Sequence, residues 1–565
     1  MDAFLQTNRP LTITTPLGSN ALLVAGFRGR EAISELFSFE FHLLAPTANP
    51  PVAIDDLLGQ TVTADVDPIT TGTGTPRKIC GVVTAVRQAN QDREFTHLHL
   101  TVRPAWWHAT LRTNSRIFQQ VTVVEILKTV LSPFGQIETR LTTTYPTRDF
   151  TCQYQETDFA FASRLCEEEG IFYSFKHEDG KLTLVLADNV ANVPAADVPD
   201  GIRYDAEAGP AAPGREYRAW TWNKTQTVCP TAVTMWDSNF ELFKQNLAAE
   251  GKPPASVTAG EVTHKLAPQG VGTIPVYLHN GDSAKRFDGV EPGGGDQSSK
   301  LQGVYDDTRR TARIRAEAYA ATAVCFAGEG NCPLLIPGTT FELNTHFDAN
   351  GTHLVTAVEH EATVRGTYRA GEEGTAKYQN TFEAVPAKVV PRPLQKTPRP
   401  RVGGPLTAVV VGPSGQEIFV DKYGRVKVQF LWDREGKFDA NSSCWVRVSQ
   451  VWAGKGWGGF FWPRIGMEVI VHFEDGDPDR PIITGCVYNA TNMPPATLPA
   501  EAMIGGIKSC IFNGDPASQY NSIYFYDAPN YEYIFIHSET HTVHDSEAHK
   551  LEFSPGAVIE FRGQL

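Results

Sequence analysis

The segment from Thr407 to Tyr488 reads TAVVVGPSGQEIFVDKYGRVKVQFLWDREGKFDANSSCWVRVSQVWAGKGWGGFFWPRIGMEVIVHFEDGDPDRPIITGCVY. Its grammar is that of short strands between glycine turns. Val426, Val428 and Phe430 fall on one face of an extended chain and Arg425, Lys427 and Gln429 on the other, which predicts a half-buried strand. Cys444, Val446 and Val448 against Trp445, Arg447 and Ser449 repeat the pattern. About five such strands in roughly eighty residues suit a small closed barrel of the OB type. Gly454, Gly456 and Gly459 match a dinucleotide-loop spacing, but Phe460-Phe461-Trp462-Pro463 follows where that motif needs a helix, so a glycine-mediated barrel loop is expected instead. The aromatics and glycines of the barrel read as packing.

Outward from the barrel, the 565-residue chain is long enough for three or four domains. Its 48 glycines and 38 prolines, spread along the whole length, favour many turns and hence many strands. A net charge of -14 argues against nucleic-acid binding, because a basic face would have to overcome that field. Nine scattered cysteines without a CxxC pair predict reduced core thiols and folding in the cytoplasm. The N-terminal stretch shows no secretory signal and no apolar run is long enough to span a bilayer, so export is expected to use a machine that needs no signal peptide.

From Leu11 to about Val102 the sequence alternates apolar and polar residues as strands do. His97 and His99 share a strand face there, and read as ordinary strand histidines with no third ligand in view. A mixed α/β insertion follows at about 112–190. Phe118 to Ser132 has helical spacing, and Thr157-Asp158 caps a second helix closed by Gly170. Its Glu167-Glu168-Glu169 run is expected to be a solvated helix end. Asp307 to Phe326 is the clearest helix. Ala384 to Pro405 is proline-dense, with five basic residues and no acid. It reads as a semi-rigid strut, either docked on an acidic neighbour or simply solvated.

Beyond the barrel, residues 504–565 alternate as strands with too little apolar content to build a private core, which predicts that copies from neighbouring chains wind together. His537, Glu539, His541, Val543 and Asp545 would share one face of such a strand. In a threefold assembly His541 or His537 could place three nitrogen ligands on the axis, a low-order metal candidate. No nucleophile or zinc-protease motif is present, and Glu474, Asp475, Asp477 and Asp479 look like a turn rather than a hydrolytic site.

Val420 to Lys437, Cys444 to Asn489, YQETDFAFASRLCEEEGIFYSF from Tyr154 to Phe175, LIPGTTFEL and HLVTAVEHEA together resemble the VgrG family, spikes of type VI secretion and relatives of contractile phage tail hubs. The resemblance implies a mainly β fold: residues 1–383 as a hub of two β-barrels around the insertion, 384–405 as linker, 406–492 as an OB barrel and 493–565 as the start of an intertwined β-spike in a homotrimer. It further implies a ring of Hcp below, a PAAR-repeat protein at the tip, effector or adaptor cargo, baseplate neighbours, transient contact with a target membrane, and no catalysis or cofactor. The short tail lacks valine-glycine repeats, and no effector or lysozyme domain is expected past Leu565. A phage-like tail hub is the alternative, and a cell-wall hydrolase a weaker one.

Overall fold

The computed structural model describes residues 4–556 apart from 7–8, 68–75, 210–215, 267–269, 271, 280–285, 367, 370–374 and 552. Residues 557–565, the end of the tail read as alternating strands, lie outside them.

Twelve strands join one continuous hub sheet, in the order Leu11–Thr14, Thr61–Val66, Arg77–Gln91, Phe95–Arg103, Ser38–Pro46, Leu23–Ala32, Gly351–Arg365, Thr340–Asn344, Ile202–Tyr204, Arg218–Gln226, Val324–Gly330 and Thr375–Pro386. The last strand also pairs with Gly351–Arg365, so the second half closes on itself as a barrel. Each half has its own core: Phe39, Phe41, Leu98 and Leu100 in the first, Phe326, Phe341, Leu354 and Phe382 in the second. The period-2 alternation seen in the sequence is the cause, since it places one side of every strand inward.

The insertion carries two helices. α1, Val123–Leu131, starts later than its apolar spacing predicts because Thr122 and Glu125 form a reciprocal capping box, leaving Phe118 in the strand Thr113–Phe118. α2, Asp158–Glu169, has Thr157 as N-cap and left-handed Gly170 as C-cap, as read. The third helix, α3, runs Gln302–Ala321, and Val324 to Phe326 leave it to pair in the hub sheet. Tertiary pairing overrides helical period there.

At the seam of the two hub halves lies a buried polar cluster. Arg77 donates to Pro333 O at 2.9 Å, Leu335 O at 3.1 Å and Glu31 at 2.5 Å, while His360 bridges Glu31 (3.0 Å) and Tyr378 (2.6 Å). Burial alone would raise Glu31, but Arg77 and His360 hold it down at about 2, and burial pushes His177 down to about 4. The signs agree. The unfolded chain takes up a proton on His177 from 6.5 downward that the fold refuses until about 4, and the Glu31 contribution, present above 4.5, is lost as pH falls towards 2. These two groups therefore contribute a fall in stability from pH 6.5 to pH 4, with His177 supplying on the order of 3 kcal/mol of it. Melting curves of His177→Asn should show a shallower slope over that interval; an unchanged slope would rule the assignment out.

The barrel sheet runs Lys427–Phe430, Leu406–Val411, Glu468–Phe473, Pro481–Val487 and Arg447–Val448, and a Val426–Val446 bridge closes it. Ala408, Val410, Val426, Val428, Phe430, Val446, Val469, Val471 and Ile483 fill it. The nine cysteines are all free, five of them buried.

Candidate functional site

Two regions stand apart from ordinary packing: the junction where hub meets barrel, and the tail after it.

At the junction the barrel strand expected to be half-buried is buried on both faces. Arg425 holds Asp288 of the hub through two hydrogen bonds of 2.7 and 2.9 Å and Asp421 at 2.6 Å. Trp445 Nε1 donates to Glu291 O at 2.9 Å. Lys427 Nζ donates to Ala440 O at 2.6 Å, and withdrawal from water lowers its pKa. The outward face of the strand is thus covered, at Arg425 by the hub and at Lys427 and Gln429 by the barrel's own loop, rather than wet.

The three acids ending α2 are the larger correction, for all three are buried. Lone carboxylates at a helix C-terminus would suffer from the helix dipole. Here five arginines, one from α2 itself and four from other segments, surround them. Glu168 receives Arg148 (3.2 Å), Arg164 (3.4 Å), Arg286 (3.5 Å) and Arg399 (2.8 Å). Glu169 receives Arg148, Arg286 and Arg310. Glu167 accepts the backbone N–H groups of Lys396 and Thr397, both at 3.0 Å, and the Thr397 hydroxyl at 2.8 Å. Burial works against ionisation of Glu168, yet Arg399, Arg148, Arg164 and Arg286 hold it well below the usual carboxylate range.

The proline-dense segment is consequently docked rather than solvated. Arg392 reaches Glu317 (2.9 Å), Gly170 O (2.8 Å) and Asp188 O (3.0 Å), and Arg399 spans from Glu168 to Asp477 of the barrel (2.7 Å). Val402, Leu406, Trp432 and Phe473 pack there on Phe150, Cys152 and Tyr154. Asp477 also takes Arg480, which binds Asp237 as well. Asp479 accepts the Cys152 N–H at 2.6 Å. Two of the four acids that gave a hydrolase its only support, Asp477 and Asp479, are therefore engaged in fastening.

The glycine-rich loop is a hairpin, Trp452–Ala453 paired with Gly458–Gly459. A Cβ on Gly458, whose φ is +141°, would lie 2.2 Å from Trp452 O, so glycine is required by close backbone approach. Its aromatics pack on one another, Trp452 on Trp457 at 4.8 Å and Phe460 on Trp462 at 5.9 Å, and Trp452, Trp457, Phe460 and Phe461 stay exposed. His97 and His99 do have an imidazole neighbour, His42 from the adjacent strand. It lies 2.9 Å from His97 and stacks on His99 with 4.8 Å between ring centres. Among the described residues no group of three or more His, Cys, Asp or Glu could hold a metal.

The tail forms an antiparallel sheet of Ile504–Lys508, Ser522–Tyr526 and Tyr533–His537. Ile507, Ile523, Phe525, Ile534 and Ile536 line one face, and Tyr524, Tyr526, Tyr533 and Phe535 the other. The sheet ends at His537, whose ring packs on Tyr520 (4.6 Å) and whose Nε2 lies 3.9 Å from Glu539. His541 lies past the last strand and is exposed, so a single chain does not set His537 and His541 on one strand face.

Residues 30–366 match the family described as phage tail baseplate hub (GPD), and residues 419–488 the type VI secretion system/phage-baseplate injector OB domain. The spike protein VgrG1a of Pseudomonas aeruginosa is 35% identical over 542 residues, covering 95% of this chain and 78% of that protein. The chain belongs to the VgrG family of type VI secretion spike proteins. Another VgrG relative, from Vibrio cholerae, is named an actin cross-linking toxin; it is 33% identical across 93% of this chain, which spans 45% of its length. Among solved structures, the E. coli c3393 protein, a type VI component described as similar to the T4 tail proteins gp27 and gp5, aligns with a TM-score of 0.56 over 84% of this chain and all of its own, at 19% identity. A VgrG complex with PdpA from Francisella aligns with a TM-score of 0.55 at 8% identity, over 91% of this chain and 76% of its own. The VgrG relatives at about a third identity favour a secretion spike over a phage tail hub.

Proposed function

We propose that three copies of this chain assemble into the tip of a contractile injection machine, puncture a target envelope and carry bound effectors, with no reaction of their own. The observation that carries this reading is the tail. A three-stranded sheet with apolar residues on both faces follows the hub and barrel, and among the described residues of one chain most of its large apolar side chains stay exposed. Winding three such sheets together would bury those faces and pair free strand edges, giving a narrow stiff object. The hub would sit on an Hcp ring among baseplate proteins, and the tail would meet a PAAR-repeat tip protein and effector or adaptor cargo. In that assembly His541 and His537 are the candidate ligands for an axial metal.

The absence of catalysis in this reading rests on the carboxylates at the junction being engaged with arginines and backbone. The surplus of acids supports protein partners over nucleic acid. No helix among the described residues is long and apolar enough to cross a membrane, which accords with synthesis in the cytoplasm and delivery by the machine, with only transient contact with the target membrane.

A tagged copy is expected in the culture medium of a strain with an intact contractile sheath and only inside cells of a strain lacking it. Release from both strains, or from neither, overturns the proposal.

A further inference from the structure

We propose that the aromatic hairpin of one barrel seats in the hub–barrel cleft of the neighbouring copy, bringing Trp452, Trp457 and Phe460 against Trp236, Phe240 and Phe243. This contact rests on the three-copy assembly proposed above and names the surfaces that meet in it. The hairpin is rigid before it meets anything. The Gly454 N–H donates to Trp457 O at 2.8 Å, and the Gln450 side chain clamps Phe461, accepting its N–H at 2.9 Å and donating to its carbonyl at 3.2 Å. Val451, Trp452, Trp457, Phe460 and Phe461 are nonetheless between 57% and 87% exposed. With about 150–250 Å² to bury per aromatic side chain, they hold roughly 600 Å² of apolar surface in water. That is the upper end of what a solitary soluble chain displays, and approaches the roughly 800 Å² that each partner contributes to a specific interface.

The occupant is another copy of this chain because the hairpin's exit is tied to the tail's entry. Arg464 holds Glu417 at 2.5 Å and Cys510 O at 2.7 Å, and Glu417 accepts the Asn513 N–H at 2.6 Å. A copy that winds its tail with this one therefore brings its own barrel alongside the hairpin. Copies related by a threefold rotation meet head to tail, so a projection on one needs a different, recessed surface on the next. The chain has such a recess. Between the hub segment 236–246 and the barrel lies a cleft of about 650 Å³, lined among others by Trp236, 49% exposed, and Phe243, 84% exposed. Phe240 lies in it with the guanidinium groups of Arg425 and Arg447 at 5.0 and 4.9 Å from its ring centre. The Asn239 side chain caps the short turn Phe240–Leu242, and Glu241 accepts the Gly289 N–H at 2.9 Å, so the cleft is preformed. Charge agrees with the fit. Lys455, at the hairpin tip, is the one charged residue in 451–462, and six acids against four bases leave the cleft lining two charges negative.

Trp457→Cys combined with Phe243→Cys in the full-length protein, treated with a mild oxidant, is expected to give chains linked in twos and threes on a non-reducing gel. The parent and each single variant, treated alike, should stay unlinked. Light scattering before oxidation reports the assembly itself. Three associated chains without linkage in the double variant overturn the hairpin–cleft contact alone. Linkage in either single variant does the same, because it sets like surfaces against each other. A monomeric parent overturns the contact together with the three-copy assembly. Should the aromatic pair disturb folding, Lys455→Cys with Lys244→Cys, both exposed in the single chain, decides by the same readout.

Discussion

Glu168→Ala is expected to destabilise the protein by about 3–5 kcal/mol, because it leaves a buried group of guanidinium ions without their shared counter-charge. Arg148, Arg164, Arg286 and Arg399 all converge on this one carboxylate, which is 1% exposed. Placing such charges out of water costs several kcal/mol each and is offset only while the opposite charge is in place. Glu169 keeps Arg148, Arg286 and Arg310, while Arg164 is left with Glu156 and Arg399 with Asp477, so the four lose the one carboxylate they all share. Glu167→Ala should cost less, about 1–3 kcal/mol, since it forfeits hydrogen bonds from Lys396 and Thr397 rather than ion pairs. Denaturant midpoints of the two variants, with limited proteolysis of residues 392–402, distinguish the cases. If Glu168→Ala unfolds at the parental midpoint, or if Glu167→Ala is the more damaging, the arginine cage is not what fastens barrel to hub.

That cage marks the limit of what the sequence disclosed. Signals carried within a few residues were legible: the Thr157 cap and Gly170 stop of α2, the Val426, Val428 and Phe430 face of the barrel, and the glycine hairpin at Gly458. The misreadings concern partners remote in the chain. The Glu167 to Glu169 run looked solvated because Arg286 and Arg399 come more than a hundred residues later, from segments whose proximity only the folded hub creates. Arg425 looked wet because Asp288, which it binds, lies far earlier in the chain, whereas Lys427 and Gln429 are covered by a nearby barrel loop that carries no periodic signal. His42 escaped notice beside His97 for a similar reason, since strand pairing joins them across 55 residues. The five basic residues and no acid in 384–405 allow docking on an acidic neighbour, yet the composition reads rather as a solvated spacer, because the acids it docks on, Glu167 and Glu168, lie more than two hundred residues earlier.

Ile523→Asp combined with Ile534→Asp is expected to convert an assembly of three 62.0 kDa chains into monomers while leaving hub and barrel folded. Ile523 pairs with Ile536 and Phe525 with Ile534, so these four side chains form one isoleucine-rich apolar patch; the two replaced residues are 46% and 64% exposed in a single chain. Burying each isoleucine in an assembly would contribute about 1.5–3 kcal/mol, and three chains multiply that gain. The double variant reverses it, bringing two like charges per chain towards a common axis where desolvation and mutual repulsion act together. The tail touches the barrel through Arg464 to Cys510 O and through Asn513 to Glu417, contacts that neither substitution reaches. Circular dichroism and the main unfolding midpoint should therefore stay at parental values while light scattering reports the change in mass. Charges placed on the opposite, aromatic face, where Tyr524 stacks with Phe535 and Tyr526 with Tyr533, should weaken assembly less if the aliphatic face points to the axis. A parent protein that is monomeric at micromolar concentration, or a double variant that still scatters as three chains, removes the tail from the assembly interface, and the patch would then need another partner to cover it.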